Sequence, residues 1–261
     1  MRKLSLLLLL VVISLKSNAQ LKIGLTAFPQ FSSTSSIIPF KKDVKNNVNI
    51  PTITAGAGLV ATYDSYTKPR GAQLGISYSS QNQTYVYNYK LSDESYSHRG
   101  KKRFDYIKFS LVARKFGYVH KYVKSVFFIG PQFSYLLKYT GGAVVYKENE
   151  YFDLPATTGN IYYKRYSIDA VIGYSLDYAI HKNFDVFASL RLDYGLNNIE
   201  RKGVTYNGVN VFNGGGSHQI TYGLQVGAYY VFHRRDHLLL PGNTWRYRVY
   251  KKKKISGRRG K

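Results

Sequence analysis

Residues 218–232 read HQITYGLQVGAYYVF, and Ile220, Tyr222, Leu224, Val226, Ala228, Tyr230 and Phe232 fall on every second position. Strict alternation over so long a stretch marks a β-strand with one apolar face, because a helix repeats every 3.6 residues. The same pattern recurs at 21–31, 53–64, 71–82, 104–116, 124–137, 166–179 and 184–197, so eight strands of 11 to 15 residues are expected. Soluble strands usually run about 5–6 residues, whereas a tilted membrane-crossing strand needs about 9–11. The connections alternate as well: 32–52, 83–103, 138–165 and 198–217 are long, while 65–70, 117–123 and 180–183 are short. Compact soluble domains rarely carry several structureless loops of about 20 residues. An up-and-down sheet with all long loops at one end produces this rhythm, as in barrels of the bacterial outer membrane.

Which face points outward follows from volume. Phe184, Leu190, Leu192, Ile168, Ile172, Leu224, Phe127, Ile129 and Phe133 share one face, and Gly24, Thr26, Gly56, Gly58, Gly75, Ser77, Gly130, Gln132, Gly173, Gly223 and Gly227 share the other. Eight strands enclose room for little more than side chains, so the small residues belong inside and the bulky apolar ones outside. That arrangement is stable only in lipid, where every backbone group must pair internally and the sheet must close. The expected fold is therefore all-β, an eight-stranded antiparallel up-and-down transmembrane β-barrel. Tyr accounts for 26 residues, and Tyr63, Tyr78, Tyr178, Tyr194, Tyr222 and Tyr230 fall near strand ends, where an aromatic girdle is expected. Pro131 interrupts a strand, which predicts a bulge at Gly130–Pro131.

The inward face also carries charge. Lys22, Lys108, Arg114 and Arg191 face Asp169, Asp177, Asp185 and Asp193. Buried charges persist only when paired and hydrogen-bonded, so Lys108, Arg114, Asp169, Asp177, Arg191 and Asp193 are expected to form a lumen ion-pair network. Asp185, beside a short turn, is expected at the barrel end in water.

The ends of the chain differ in kind. MRKLSLLLLLVVISLKSNAQ has Arg2 and Lys3, an apolar run from Leu4 to Leu15, and Ser17 and Ala19 at −3 and −1 before Gln20, so residues 1–19 read as a cleaved signal peptide. With residues 20–232 as the barrel, residues 233–261 form a basic tail. The net charge of +24 divides into +3 on the leader, +10 on the tail and +11 between them. Export argues against nucleic acid as the partner of this charge. Lys251, Lys252, Lys253 and Lys254, with Trp245, Tyr247 and Tyr250 nearby, suit anionic headgroups or an acidic periplasmic protein; a disordered solubilising tail is the other reading of such a like-charge block. In the long outer loops, Lys41, Lys42, Arg99, Lys101, Lys102 and Arg103 suit the phosphates of outer-membrane lipids, lipopolysaccharide included.

Catalytic chemistry is not expected. There is no Cys, which removes disulfides, thiol nucleophiles and Cys-ligated zinc. The six His, at 98, 120, 181, 218, 233 and 237, fall in loops, turns, strand ends or the tail. The one Ser–His neighbour pair, Ser217–His218, points to opposite faces of a strand. No His/Asp/Glu set has metal-ligand spacing, GGGSH at 214–218 opens no helix, and no cofactor is expected.

FDYIKFSLVARKFG followed by VFFIGPQFSYLL resembles the PorT-like outer-membrane β-barrel family, in which a strand ending in a basic-aromatic pair precedes a strand with Gly-Pro. LRLDYGLNNI resembles the penultimate strand of that family and LQVGAYYVF its closing strand. Ser134 stands where glycine is common, and the tail after Phe232 is a departure. The resemblance implies an eight-stranded outer-membrane barrel without catalytic residues, and some members assist protein secretion across the outer membrane. The residues themselves read as a structural or interaction barrel presenting its long loops outward, and the alternative reading is a secretion or transport accessory. Mass spectrometry of the exported protein is expected to show Gln20 as the first residue; a mature chain retaining residues 1–19 would contradict the signal reading.

Overall fold

The computed structural model describes residues 19–36, 44–65, 68–91, 94–120, 122–147, 150–158, 163–181, 183–199, 205–206, 209–210 and 217–232. The leader before Ala19 and the tail 233–261, with Lys251, Lys252, Lys253 and Lys254, lie outside the described residues, as do Lys41 and Lys42.

Strands follow one another with no helix among the described residues: β1 (Ala19–Ser36), β2 (Val44–Ser65), β3 (Arg70–Leu91), β4 (Glu94–Tyr118), β5 (Val123–Lys147), β6 (Glu150–Thr158), β7 (Tyr166–His181), β8 (Phe184–Gly195), the two-residue β9 (Thr205–Tyr206) and β10 (Val209–Asn210), and β11 (Ser217–Phe232). Eight of them close in the order β4-β3-β2-β1-β11-β8-β7-β5, and β5 pairs back onto β4. Every pairing is antiparallel, and Leu21 lies opposite Phe232, so the two ends of the barrel meet at the short-turn side. Following cross-strand partners round from Leu21 through Tyr63, Ala72, Ala113, Ile129, Ile172, Leu192 and Tyr222 returns to Phe31, ten residues along β1 (21 to 31). With the usual strand rise and spacing, that stagger tilts the strands by about 40° from the barrel axis.

The two faces are inverted relative to a soluble protein. Leu25, Leu59, Leu74, Leu111, Ile129 and Leu190 are exposed on the outside, Leu25 to 68%, whereas Lys22, Lys108 and Arg114 are at most 3% exposed inside. The six girdle tyrosines all face outward, at 39–46% exposure.

The outer connections depart from expectation. The span 83–103 is not a loop: β3 and β4 pair without interruption from Arg70–Lys115 to Leu91–Glu94. Most of 32–52 is strand as well, and β5 continues into a hairpin with β6. β4 alone has 25 residues, about 80 Å at about 3.3 Å per residue, and more than half of it lies beyond an apolar band about 25 Å tall. β1 and β2 part after Ser32–Thr52. Beyond that level, among the described residues, β2, β3, β4, β5 and β6 continue as an open five-stranded sheet projecting from the long-loop side. The alternation that reveals a strand depends on lipid wetting one face. Past the membrane the outward face meets water instead of lipid, and a stretch such as QNQTYVYNYK, with Gln81, Gln83 and Tyr85 buried on its other face, loses the oily-out signal while keeping the ladder.

Pro131 does not form a bulge. β5 and β7 pair straight through Pro131–Ala170, and the β4 ladder merely lapses between Ala113–Ile129 and Ser110–Gln132 in unchanged register. Pro29 repeats the arrangement, with its β2 ladder intact through Pro29–Ala55 and its β11 ladder lapsing between Ala27–Val226 and Gln30–Gly223. A proline lacks one donor, which affects only the neighbour its N–H would have faced. The shifts fall elsewhere, notably opposite Asp105/Tyr106 in β5 and at 51–56 in β2.

Substituting Leu190→Arg, mid-strand on the lipid face, is expected to destabilise folding into phospholipid vesicles by about 2–4 kcal/mol, and Leu196→Arg near the interface by about 0–1. Equal effects in denaturant titrations would contradict the assigned membrane position.

Candidate functional site

The lumen is built by the even-numbered residues of β1, β2, β4 and β5 and the odd-numbered residues of β3, β7, β8 and β11 over their barrel portions. Its charges separate into two clusters. In the half nearer the short turns, Asp64 on β2 accepts from Arg114 Nη1 at 3.2 Å and from Lys124 Nζ, and lies 3.8 Å from Lys22 Nζ. Asp177 accepts from Arg114 Nη2 at 2.9 Å and from Ser175 at 2.7 Å, and Asp185 accepts from Lys22 at 2.6 Å. Three cations thus meet three carboxylates, drawn from β1, β2, β4, β5, β7 and β8. Lys22 also lies 5.6 Å from the centre of the Tyr229 ring.

Toward the long-loop side, Asp193 accepts from Lys108 Nζ at 3.0 Å and from Arg191 Nε at 2.7 Å. Gln132 donates to Asp169 at 2.8 Å and to Asp193 at 3.2 Å, and its carbonyl oxygen accepts from Arg191 Nη2 at 2.5 Å. Asp169 takes its further hydrogen bonds from Ser134 at 2.5 Å and Ser167 at 2.6 Å, so neutral donors surround it. Between the clusters lies an apolar layer: Val112, Phe128 and Val171 form one group and Val60, Phe187 and Tyr229 another, with the Phe187 and Tyr229 rings stacked at 4.5 Å. Glycine makes room for these rings. A Cβ on Gly173 would stand 2.3 Å from Phe128 Cζ, and one on Gly227 would stand 2.6 Å from Phe187.

Of the residues anticipated for the network, Lys108, Asp169, Arg191 and Asp193 lie together, while Arg114 and Asp177 belong to the other cluster. Asp185 is not in water at the barrel end; it is 4% exposed and holds Lys22. Asp64 and Lys124 were not anticipated. Both share the inward parity of their strands, with Gly56 and Gly58 on β2 and with Gln132 on β5, so parity alone was the signal. A cavity of ≈ 10 Å³ beside Arg191, Asp193 and Gln225 has room for about one water.

The outer mouth is capped by a second unanticipated group. Phe104, Tyr106, Leu136, Tyr139, Tyr163 and Ile199 form a buried cluster. Tyr163 meets Phe104 edge-on at 4.8 Å and lies 4.7 Å from Tyr139. The segment carrying it is held by Lys164 N–H donating to the Ile199 carbonyl and Leu136 N–H donating to the Arg165 carbonyl, each at 2.7 Å. Above the cap, Lys102 Nζ sits over the Tyr85 ring at 4.7 Å and 5.8 Å from that of Tyr163. Burial pushes the Tyr85 hydroxyl above its ordinary pKa, with the Lys102 charge acting in opposition. The histidines with described side chains serve local contacts: His218 Nδ1 lies 2.9 Å from the Gly195 carbonyl with its ring stacked on Tyr194, and His181 and His120 lie beside Phe184 and Tyr122.

An antiparallel barrel with this stagger, lipid-facing apolar band and salt-bridged interior has its counterpart in sequence. The model of the family described as outer membrane protein beta-barrel domain matches residues 14–201. The chain belongs to this family. The match ends before β11, the strand that closes the barrel of this family member. No curated protein matches the chain. Among solved structures, the chain is similar to Ail, the attachment invasion locus protein of Yersinia pestis, in complex with the heparin analogue sucrose octasulfate (12% identity, 82% of this chain and 99% of that one, TM-score 0.37). It is similar also to the outer membrane protein OprG from Pseudomonas aeruginosa (12%, 84% and 98%, TM-score 0.40) and to the outer membrane protease OmpT from Escherichia coli (10%, 82% and 97%, TM-score 0.34). These likenesses concern the barrel and do not assign an activity.

Asp64 neutralises more cations than any other described carboxylate, so Asp64→Asn leaves Arg114 and Lys124 undercompensated in the lumen. It is expected to destabilise the barrel by about 3–5 kcal/mol in denaturant titrations of the protein in lipid vesicles. A change within about 0.5 kcal/mol would show that the cluster carries no weight.

Proposed function

We propose that this protein is a non-enzymatic, non-conducting barrel of the bacterial outer membrane whose role is structural or interactive, presenting its projecting sheet to the cell exterior. The observation that carries this reading is the pairing of a filled lumen with hairpins far longer than a membrane crossing needs. Solute passage requires a continuous aqueous path, and here two paired-charge clusters, an intervening apolar layer and an aromatic cap occupy the axis. Ladders extended past the lipid are ordered surface, suited to contact. The lipids of the outer membrane, lipopolysaccharide among them, are its first partners.

Residues 1–19 act in this reading as a cleaved export signal. Membership of the PorT-like subgroup is inferred from the strand motifs at 104–117 and 126–137. The alternative role, an accessory of protein secretion, depends on a periplasmic partner for the tail, with Lys251, Lys252, Lys253 and Lys254 as its anionic contact. Deletion of 233–261 that abolishes export of other proteins while leaving the barrel intact would favour it.

Two measurements test the main reading. Reconstituted in planar bilayers, the protein is expected to show no stepwise conductance; stable ohmic steps would contradict a filled lumen. Trypsin added to intact cells is expected to cut after Lys147, which ends β5 at the turn of the β5–β6 hairpin. Cleavage there only after the outer membrane is breached would place the projecting sheet on the periplasmic side and overturn the reading.

A further inference from the structure

The lipid-facing surfaces of β3, β4 and β5 end abruptly at the outer border. On β4 the outward series Leu111, Phe109, Ile107 gives way to Arg103 and Lys101; on β5 Phe133, Tyr135 and Leu137 give way to Lys138; on β3 Ile76 and Tyr78 give way to Asn82 and Thr84. The register brings these residues together. Arg103 stands between Asn82 and Thr140, Lys101 between Thr84 and Gly142, and Lys138 lies opposite Asp105. They line one half-open cleft of ≈ 620 Å³, walled by polar side chains and containing a single carboxylate, Asp105. Asp105 is engaged by Arg103 Nε at 3.0 Å, which orients the guanidinium while leaving that side chain 55% exposed. A guanidinium has five N–H donors, so most of those on Arg103 remain for a ligand. The side-chain oxygen of Asn82 is buried without a protein partner.

We propose that this cleft binds the phosphorylated sugar headgroup of an outer-leaflet glycolipid, with Lys101, Arg103 and Lys138 on the phosphate and Asn82, Thr84 and Thr140 on sugar hydroxyls. Planar Arg donors match phosphate oxygens in pairs, and Lys adds point charge. The choice of a lipid over a soluble phosphate ester rests on position. Ile107, Leu137, Tyr135 and Tyr78 lie directly below on the same wall, so acyl chains lie against them while the headgroup occupies the cleft. The proposal rests on the outward orientation of the projecting sheet, yet its failure is separable from that reading, because neither trypsin access nor absence of conductance depends on these three charges.

The test uses the full mature chain in nanodiscs of neutral phosphatidylcholine, titrated with bis-phosphorylated lipid A and with its dephosphorylated form, and read by native mass spectrometry. The wild-type chain is expected to retain the phosphorylated lipid selectively. Lys101→Gln/Arg103→Gln/Lys138→Gln is expected to weaken that retention on the order of a hundredfold, given the usual contribution of a basic residue at an anionic surface. Arg70→Gln/Lys115→Gln, at the opposite border, is expected to leave it within about twofold, since charges beyond a Debye length are screened. Heat-modifiable gel mobility confirms that each variant is folded. Equal retention of the two lipids, or a triple variant within about threefold of wild type, overturns the site. A deacylated disaccharide phosphate that binds as tightly as the lipid overturns the assignment to a lipid.

Discussion

A strand in hydrocarbon has no water to satisfy its amides, and each unpaired N–H or C=O there costs several kcal/mol. This single constraint organises the molecule. It closes the sheet, so that β5 meets β4 and β11 meets β1 with Phe232 opposite Leu21. It keeps the lapses in the ladder short and one-sided, as at Pro29, at Pro131 and at 52–55 of β2, whose ladder to β1 runs on. It also releases its hold where the membrane ends, and there, among the described residues, β2 to β6 continue as a sheet that does not close.

Closure with eight strands fixes a narrow interior, and the interior then dictates its own chemistry. Low polarisability makes an unpaired charge costly, so cations and carboxylates come in local balance: Lys22, Arg114 and Lys124 against Asp64, Asp177 and Asp185, and Lys108 and Arg191 against Asp193 with Asp169 close by. Such pairs contribute little net stability relative to apolar packing, but removing one member is severe. Their value lies in specificity of register. A shift of one residue would send every lumen charge into lipid, so the clusters lock six strands to a single alignment.

The parts that meet the outside obey different rules. The aromatic cap separates the lumen from the projecting sheet, and the basic border on β4 and β5 separates lipid-facing apolar residues from water. Lys and Arg gather at that height, and the corresponding Asp105 is neutralised by Arg103. In the proposed reading, function resides on the outer wall and the sheet, and the lumen serves as a rigid filling.

The linear sequence determined the eight crossing strands and the inward placement of Lys108, Arg114, Asp169, Asp177, Arg191 and Asp193, because a two-residue period registers which face each side chain takes whatever its neighbours do. The same parity also held Asp64 and Lys124, overlooked because both stand at strand ends near turns, where exposure to water was the natural reading for Asp185 as well. Only the tertiary structure decided which charges share a cluster, since the ten-residue stagger sets the height of each strand against the next and leaves no trace in any one segment. It alone extended the hairpins into 83–103, because a strand whose outward face meets water instead of lipid loses the oily-out alternation. It alone assembled Phe104, Tyr139, Tyr163 and Ile199 into a cap and Lys101, Arg103 and Lys138 into a cleft, since residues so far apart along the chain meet only after cross-strand pairing brings them level.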